Sequence, residues 1–219
     1  MALHLETLPK DSQVVLTKIK SLIKKHRFVL AGGTGLALQR GHRVSEDLDF
    51  FTKQTFSTDL LFREIKGKKL SPMVLQEEKG TLTVTAHGVK LSFLQYAYPF
   101  KEKMADLDGV PIAGIIDITS MKIIAVSQRG AKRDFVDLYS VLQTVPFWKI
   151  AENLMERFGK DRVNPVHIGK SLVYFKDADI DPDPRYLGNE QLPWDQVKKF
   201  FKKNVKQMVI DLDQASRGH

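Results

Sequence analysis

Cysteine is absent from the 219 residues, which removes disulfides, thiolate zinc sites and cysteine nucleophiles from consideration. A chain without cysteine suits a reducing compartment without requiring one. Long apolar runs are also missing: no stretch approaches the roughly 20 apolar residues of a membrane-crossing helix. The segment Met1 to Lys10 contains Glu6 and no apolar run of signal-peptide length. The expectation is a soluble, cytoplasmic protein with no membrane partner. Repeats and low-complexity tracts are lacking too. Acidic residues are outnumbered, 26 Asp and Glu against 34 Lys and Arg, for a net charge of +8. Such a surplus favours polyanionic partners such as a nucleoside triphosphate, RNA or DNA. A basic surface without any of these fits the number equally well.

What is present is the material of an ordinary core, with 42% hydrophobic and 27% charged residues. Val14, Val15, Ile19, Leu22 and Ile23 recur at helical spacing after Asp11-Ser12, which predicts a capped helix start. Phe28 to Ala31 reads as a short buried strand ended by Gly32-Gly33. Leu36 to Leu38 predicts a helix closed by Gly41, and a further helix is expected from Ser57-Thr58-Asp59 to just before Gly67. Thr81 to Ala86 and Val89 to Leu94, separated by His87-Gly88, predict a hairpin. After Pro111 the character turns helical. Asp117 is expected to cap a helix carrying Met121, Ile124, Ala125 and Gln128, and Lys132 to Leu142 repeats the pattern. The expected organisation is an α/β (α+β) chain: a mixed sheet with flanking helices over residues 1–112, then a helical region over 113–219.

The chemistry concentrates between Gly32 and Phe51. A strand that runs through Gly32-Gly33-Thr34 into a helix exposes backbone N–H groups at the helix N-terminus, where an anion is favoured. Thr34 adds a hydroxyl that could reach a phosphate oxygen. Alone, the turn is weak evidence, because most such turns are plain connections. Asp47-Leu48-Asp49 is stronger. Residues two apart on a strand share a face, so both carboxylates point the same way. They repel unless solvated or joined by a cation, and Mg²⁺ (or Mn²⁺), with its hard oxygen ligands, suits them. Two acids on a solvated edge strand would look the same in isolation. Phe50 and Phe51, directly following, argue that the strand enters a core, where acids need a reason to be present.

Gly-Gly-Thr, a short apolar helix, and then Gly41-His42-Arg43-Val44-Ser45-Glu46-Asp47-Leu48-Asp49-Phe50-Phe51 resembles the signature of the AbiEii/AbiGii toxin-type nucleotidyltransferases. These belong to the polymerase-β-like nucleotidyltransferase superfamily. A second similar stretch runs from Asp117 to Ala125 and from Arg129 to Tyr139, and the resemblance spans roughly residues 10 to 205. It implies a metal-dependent transfer of a nucleoside monophosphate from a triphosphate to an acceptor hydroxyl on RNA (tRNA is one candidate) or protein. It also implies the toxin half of a toxin–antitoxin pair, with a cognate antitoxin. Asp47 and Asp49 would be the metal-binding, catalytic pair, and Gly32, Gly33, Thr34, Arg43 and Ser45 the nucleotide-binding set.

In the second stretch Lys122 and Arg129 lie seven residues apart and share a helix face, as do Asp134 and Asp137 three apart. These residues are expected to complete the site. Lys122 would meet the triphosphate as a point charge, Arg129 would assist, and Asp137 would orient Lys122 or help deprotonate the acceptor. Asp134, Lys132 and His42 are further candidates. Isolated ion pairs on a helix surface are the alternative. One departure stands out: where many members of the superfamily carry a third carboxylate, the stretch Val89 to Leu94 offers Ser92. This keeps open a nucleotidyltransferase fold that binds nucleotide or a partner without turnover. His87 and His167 lack metal-ligand spacing. Lys198, Lys199, Lys202, Lys203 and Lys206 line a helix that either faces RNA or docks its apolar side on the body.

Overall fold

Pro9 opens the first long helix, α1 (Lys10–Lys25), one residue before the expected Asp11-Ser12 start. Its fixed φ suits a helix entry. Ser12 therefore does not cap: its hydroxyl donates to the Glu46 carbonyl, 3.1 Å away. In this computed structural model, which describes residues 2–188 and 191–218, the chain divides into two units. One comprises Met1–Pro99 with Lys103–Ala113, the other Phe100–Glu102 with Gly114–His219.

The first unit is built on β1 (Val29–Leu30), β2 (Leu48–Thr52), β3 (Met73–Glu78), β4 (Thr81–Ala86), β5 (Val89–Gln95), β6 (Ala105–Leu107) and β7 (Val110–Ile112). Among the described residues these form one sheet in the order β3-β4-β5-β2-β1-β7-β6. β1 pairs antiparallel to β2 and parallel to β7, and β2 pairs parallel to β5, so the sheet is mixed. α2 (Gly32–Arg40) links β1 to β2, and α3 (Thr58–Gly67) follows β2 with Ser57 accepting from Leu60 N–H as its cap. The β4–β5 hairpin turns at His87-Gly88 as the sequence predicts, both at positive φ.

Alternation along β2 sorts its two faces. Leu48, Phe50 and Thr52 are buried, whereas Asp49 and Phe51 are partly exposed. On the buried side Phe50 stands in register with Phe93, and Phe93 with Leu82. Phe28, Phe50 and Phe93 gather there, with the Phe50 and Phe93 rings stacked at 5.3 Å. Val15, Ile19, Leu22 and Ile23 of α1 and Leu61 and Ile65 of α3 close this core. On the opposite side the matching row is polar: Asp49, Ser92, Thr83. The strand enters a core, as the two phenylalanines suggest, but Phe50 alone fills it. Phe51 sits on the acid-bearing face, edge-on to Tyr96 at 5.2 Å.

The second unit is helical: α4 (Ile115–Arg129), α5 (Lys132–Leu142), α6 (Phe147–Phe158), α7 (Pro165–Ser171), α8 (Lys176–Ile180) and α9 (Trp194–Arg217). α9 packs on α5, α6 and α7 through Val197, Phe201, Met208 and Leu212. Phe135 of α5 is the aromatic hub, touching Phe175, Trp194 and Phe201. Of the α9 lysines, Lys198 pairs with Asp179 and Asp195, and Lys202 lies over the Phe175 ring. The apolar face of this helix docks on its neighbours, and Lys199, Lys203 and Lys206 are exposed.

Asp117 is not the expected cap. Gly114 occupies that position, and Asp117 lies in the first turn of α4 with no exposed surface. Its carboxylate accepts the N–H groups of Lys101 and Glu102 and the Asn153 amide, with Arg157 beside it at 3.5 Å. That network ties residues 100–102 into the helical unit. Burying a carboxylate is tolerated here because donors surround it.

Candidate active site

Gly32 carries two constraints at once. Its φ is +61°, a conformation costly for a side chain, and an added Cβ would stand 2.5 Å from Asp49 Oδ2. The Asp49 carboxylate therefore lies directly over the first residue of α2. Gly33 is constrained by space alone: an added Cβ there would meet Arg43 Nη2 at 2.5 Å and Ser45 Oγ at 3.2 Å. A carboxylate and a guanidinium thus both approach the opening turn of one helix, whose first N–H groups lack intrahelical partners. The ladder continues into this corner, with Ala31 N–H donating to the Asp49 carbonyl at 3.0 Å.

The expectation for Thr34 and Ser45 changes. Both are buried, their hydroxyls lie 2.9 Å apart, and Thr34 donates to the Asp47 carbonyl. Their hydrogen bonds are spent inside the protein, so they position the Asp47 backbone instead of facing a phosphate. Arg43 is 5% exposed, and its Nη1 donates to the Val44 carbonyl at 3.0 Å. A guanidinium held this firmly beside a helix N-terminus makes a concentrated positive corner. Asp47, one residue before β2, is partly buried, as is Asp49. His42 is partly buried in the connection from α2 to β2.

Ser92 is the register partner of Asp49 across the parallel β2–β5 pair. The place where a third acid would lie beside Asp49 therefore holds a hydroxyl. Among the described residues no group of three or more His, Cys, Asp or Glu side chains is arranged to hold a metal. A divalent cation here would take two carboxylates from the protein, with the remaining oxygens coming from phosphates and water. Mg²⁺ accepts that arrangement readily.

In the helical unit Lys122 is not a free point charge. Its ammonium, 7% exposed, lies 2.6 Å from Asp134 Oδ1 and 2.7 Å from Asp137 Oδ2, both fully buried. Asp134 also receives Arg129 Nε at 2.9 Å and Nη2 at 3.2 Å. Burial pushes the Asp134 carboxyl upward, but Lys122 and Arg129 outweigh it and hold it below the usual carboxylate range. Asp134 is the hub of this cluster, which spacing alone does not reveal. The side chain of Arg129 stays about half exposed (54%) while Asp134 orients it. Lys132 is likewise occupied: its ammonium meets Asp183 at 3.2 Å, and its backbone N–H is capped by Asp181 at 3.0 Å. The Asp181–Pro184 loop supplies both acids.

A mixed sheet whose glycine-opened helix faces an acid-bearing strand, followed by helices, is the design of a nucleotidyltransferase. Comparison with known proteins agrees. MenT4, a nucleotidyltransferase toxin from Mycobacterium tuberculosis H37Rv, superposes with a TM-score of 0.61 at 13% identity, over 94% of this chain and 87% of its own. JHP933 from Helicobacter pylori gives 0.57 at 19% identity, over 94% of each chain. At these identities the likeness is one of fold. An uncharacterized protein of Aquifex aeolicus (strain VF5) is 38% identical over 217 residues, covering 92% of this chain and 98% of that one. The model of the family described as "Nucleotidyl transferase AbiEii toxin, Type IV TA system" matches residues 15–215, and the chain belongs to that family.

Proposed function

We propose that the protein transfers a nucleoside monophosphate from a triphosphate to a hydroxyl of RNA at the corner formed by Gly32, Gly33, Arg43, Asp47 and Asp49. The carrying observation is the approach of the Asp49 carboxylate to Gly32 and of the Arg43 guanidinium to Gly33. The N–H groups of the first turn of α2 receive the phosphate oxygens, and Arg43 offsets their charge. Asp47 and Asp49 hold a divalent cation, Mg²⁺ or Mn²⁺, which when bound neutralises the phosphates and favours ionisation of the acceptor hydroxyl. The acceptor oxygen forms a bond to the α-phosphorus and the α–β bridging bond breaks. Pyrophosphate leaves with the electron pair, and the acceptor's proton passes to a carboxylate of the pair. Thr34 and Ser45 fix the Asp47 backbone. The Lys122–Asp134–Asp137 cluster fixes α4 against α5 and orients the half-exposed Arg129 guanidinium. RNA is favoured over a protein acceptor by the net charge of +8.

Membership of a toxin family supports a cognate antitoxin, and the use of nucleoside triphosphates supports a cytoplasmic site of action. Among the described residues no helix is long and apolar enough to cross a membrane. The test is incubation of the protein with each labelled triphosphate, Mg²⁺ and cellular RNA. Label should enter RNA with wild type and fall by at least about 100-fold with Asp49→Ala, as expected when a group stabilising the transition state is lost. Triphosphate binding with no labelled product from any of the four nucleotides, with or without Mg²⁺, would defeat this reading and leave the binding-module alternative.

A further inference from the structure

At the opposite end of β1 from the glycine turn, a cleft of about 830 Å³ opens between the C-terminal half of α1 and the β6–β7 turn. Its walls carry Lys18, Lys20, Lys24 and Arg27, the hydroxyls of Thr17 and Ser21, and one carboxylate, Asp108. All four cations are exposed, and none is ion-paired among the described residues. Lys122, Arg129 and Lys132 of the helical unit, by contrast, each meet a carboxylate. Lys68 enlarges the excess by donating to Ser21 Oγ at 2.7 Å. Four like charges within three turns of chain repel one another by more than one acid offsets.

We infer that this cleft is a docking site, separate from the reacting corner, for the sugar–phosphate backbone of the acceptor RNA. Lys20 and Lys24 stand about one turn apart on α1, roughly 6 Å of helix rise, and Arg27 follows just beyond the helix end, so donors recur along a line. The stem of Lys20 lies against the β6–β7 turn: a Cβ added at Gly109 would sit 3.2 Å from Lys20 Cε. Ammonium, guanidinium and hydroxyl donors are the groups that read phosphate and ribose. A protein partner is less well served. Ile23 and Phe28 at the floor are fully buried, and the apolar side chains that reach the surface are the smaller, partly buried Val29 and Pro111, so no large hydrophobic side chain is presented to a protein anchor. No exposed aromatic ring lines the cleft, so binding there is independent of base sequence.

The inference rests on RNA being the acceptor, and the experiment separates the two claims. Binding of a fluorescein-labelled single-stranded RNA is followed by anisotropy across a salt series. Wild type, Lys20→Ala/Lys24→Ala and, as a control on α9, Lys203→Ala/Lys206→Ala are compared. Loss of two phosphate contacts should weaken binding and flatten the slope of log K against log salt by about 1.4, roughly 0.7 per contact on a single strand. The α9 pair should leave the slope near wild type, and Asp49→Ala should bind RNA like wild type while failing to label it. RNA binding that depends on Lys20 and Lys24 without any labelling would remove the proposed reaction and keep the cleft. An unchanged slope in the α1 variant, equal losses from both lysine pairs, or displacement of RNA by polyglutamate at equal charge would each overturn the assignment. All four residues are exposed, and coincident thermal melts of the variants verify folding.

Discussion

Gly32 and Gly33 look alike in sequence, but the structure gives them different burdens. Alanine at 32 must adopt a φ of +61° and also displace the Asp49 carboxylate. Gly32→Ala should therefore cost about 1–2 kcal/mol in urea unfolding and also lower nucleotide transfer. Alanine at 33 meets the Arg43 guanidinium at 2.5 Å and the buried Ser45 hydroxyl at 3.2 Å, in a backbone conformation that any residue accepts. Gly33→Ala carries no backbone penalty and gains helix propensity, but it must shift Arg43 and crowd Ser45, so it should destabilise less than Gly32→Ala while weakening triphosphate affinity by moving Arg43. Unfolding curves and nucleotide titrations of the two variants separate these effects; equal destabilisation by both would contradict the geometry. Thr34 teaches the same lesson in reverse. A hydroxyl beside two glycines suggests a phosphate ligand, yet it is buried and bonded to the Asp47 carbonyl.

At the scale of elements, two pairings carry the chemistry. The parallel β2–β5 register sets Ser92 beside Asp49. Ser92→Asp should bring a third carboxylate to that face, lowering the melting temperature without metal through like-charge repulsion and making it more sensitive to added Mn²⁺. Differential scanning calorimetry with and without the metal measures both effects. The α4–α5 pairing is held by the buried cluster around Lys122. Lys122→Met leaves two fully buried carboxylates without their ammonium and should cost about 3–5 kcal/mol. Both tryptophans, Trp148 and Trp194, lie in the helical unit, so tryptophan fluorescence during urea unfolding reports on it.

Across the molecule, four described carboxylates are held below their ordinary range, the exposed Glu6 and Asp179 and, better shielded from solvent, Glu64 in the first unit and Asp134 in the second. For Glu64 burial acts upward, and hydrogen bonds from Lys25 and His26 outweigh it; for Asp134 the same contest is won by Lys122 and Arg129. A carboxyl whose folded pKa is depressed binds protons more weakly folded than unfolded. Its contribution is complete above the ordinary carboxylate pKa and is lost as pH falls through the folded value. The melting temperature should therefore be level near neutrality and fall as pH drops below about 4. Asp134 is the more buried of the two, so Asp134→Asn should flatten that fall more than Glu64→Gln. Melts recorded from pH 7 to pH 3 measure it, and identical acid profiles for wild type and Asp134→Asn would refute the coupling.

Local order was legible in the chain because its causes are local. Alternating burial in Leu48 to Thr52, the His87-Gly88 turn and the Ser57 cap each follow from residues within a few positions of one another. The Gly-Gly-Thr and Asp-x-Asp pattern points to a nucleotidyltransferase through its resemblance to the family signature, and the turn and strand face it needs are set by neighbouring residues. Folding alone decided which polar groups are spent and which remain available. Asp117 reaches Asn153 and Arg157, 36 and 40 positions away, and Ser12 reaches Glu46 across 34. Asp181 and Asp183 cross about 50 positions to Lys132. A hydrogen bond forms with whatever the packed core brings within 3 Å or so, and side-chain spacing along one helix or strand carries no record of that partner.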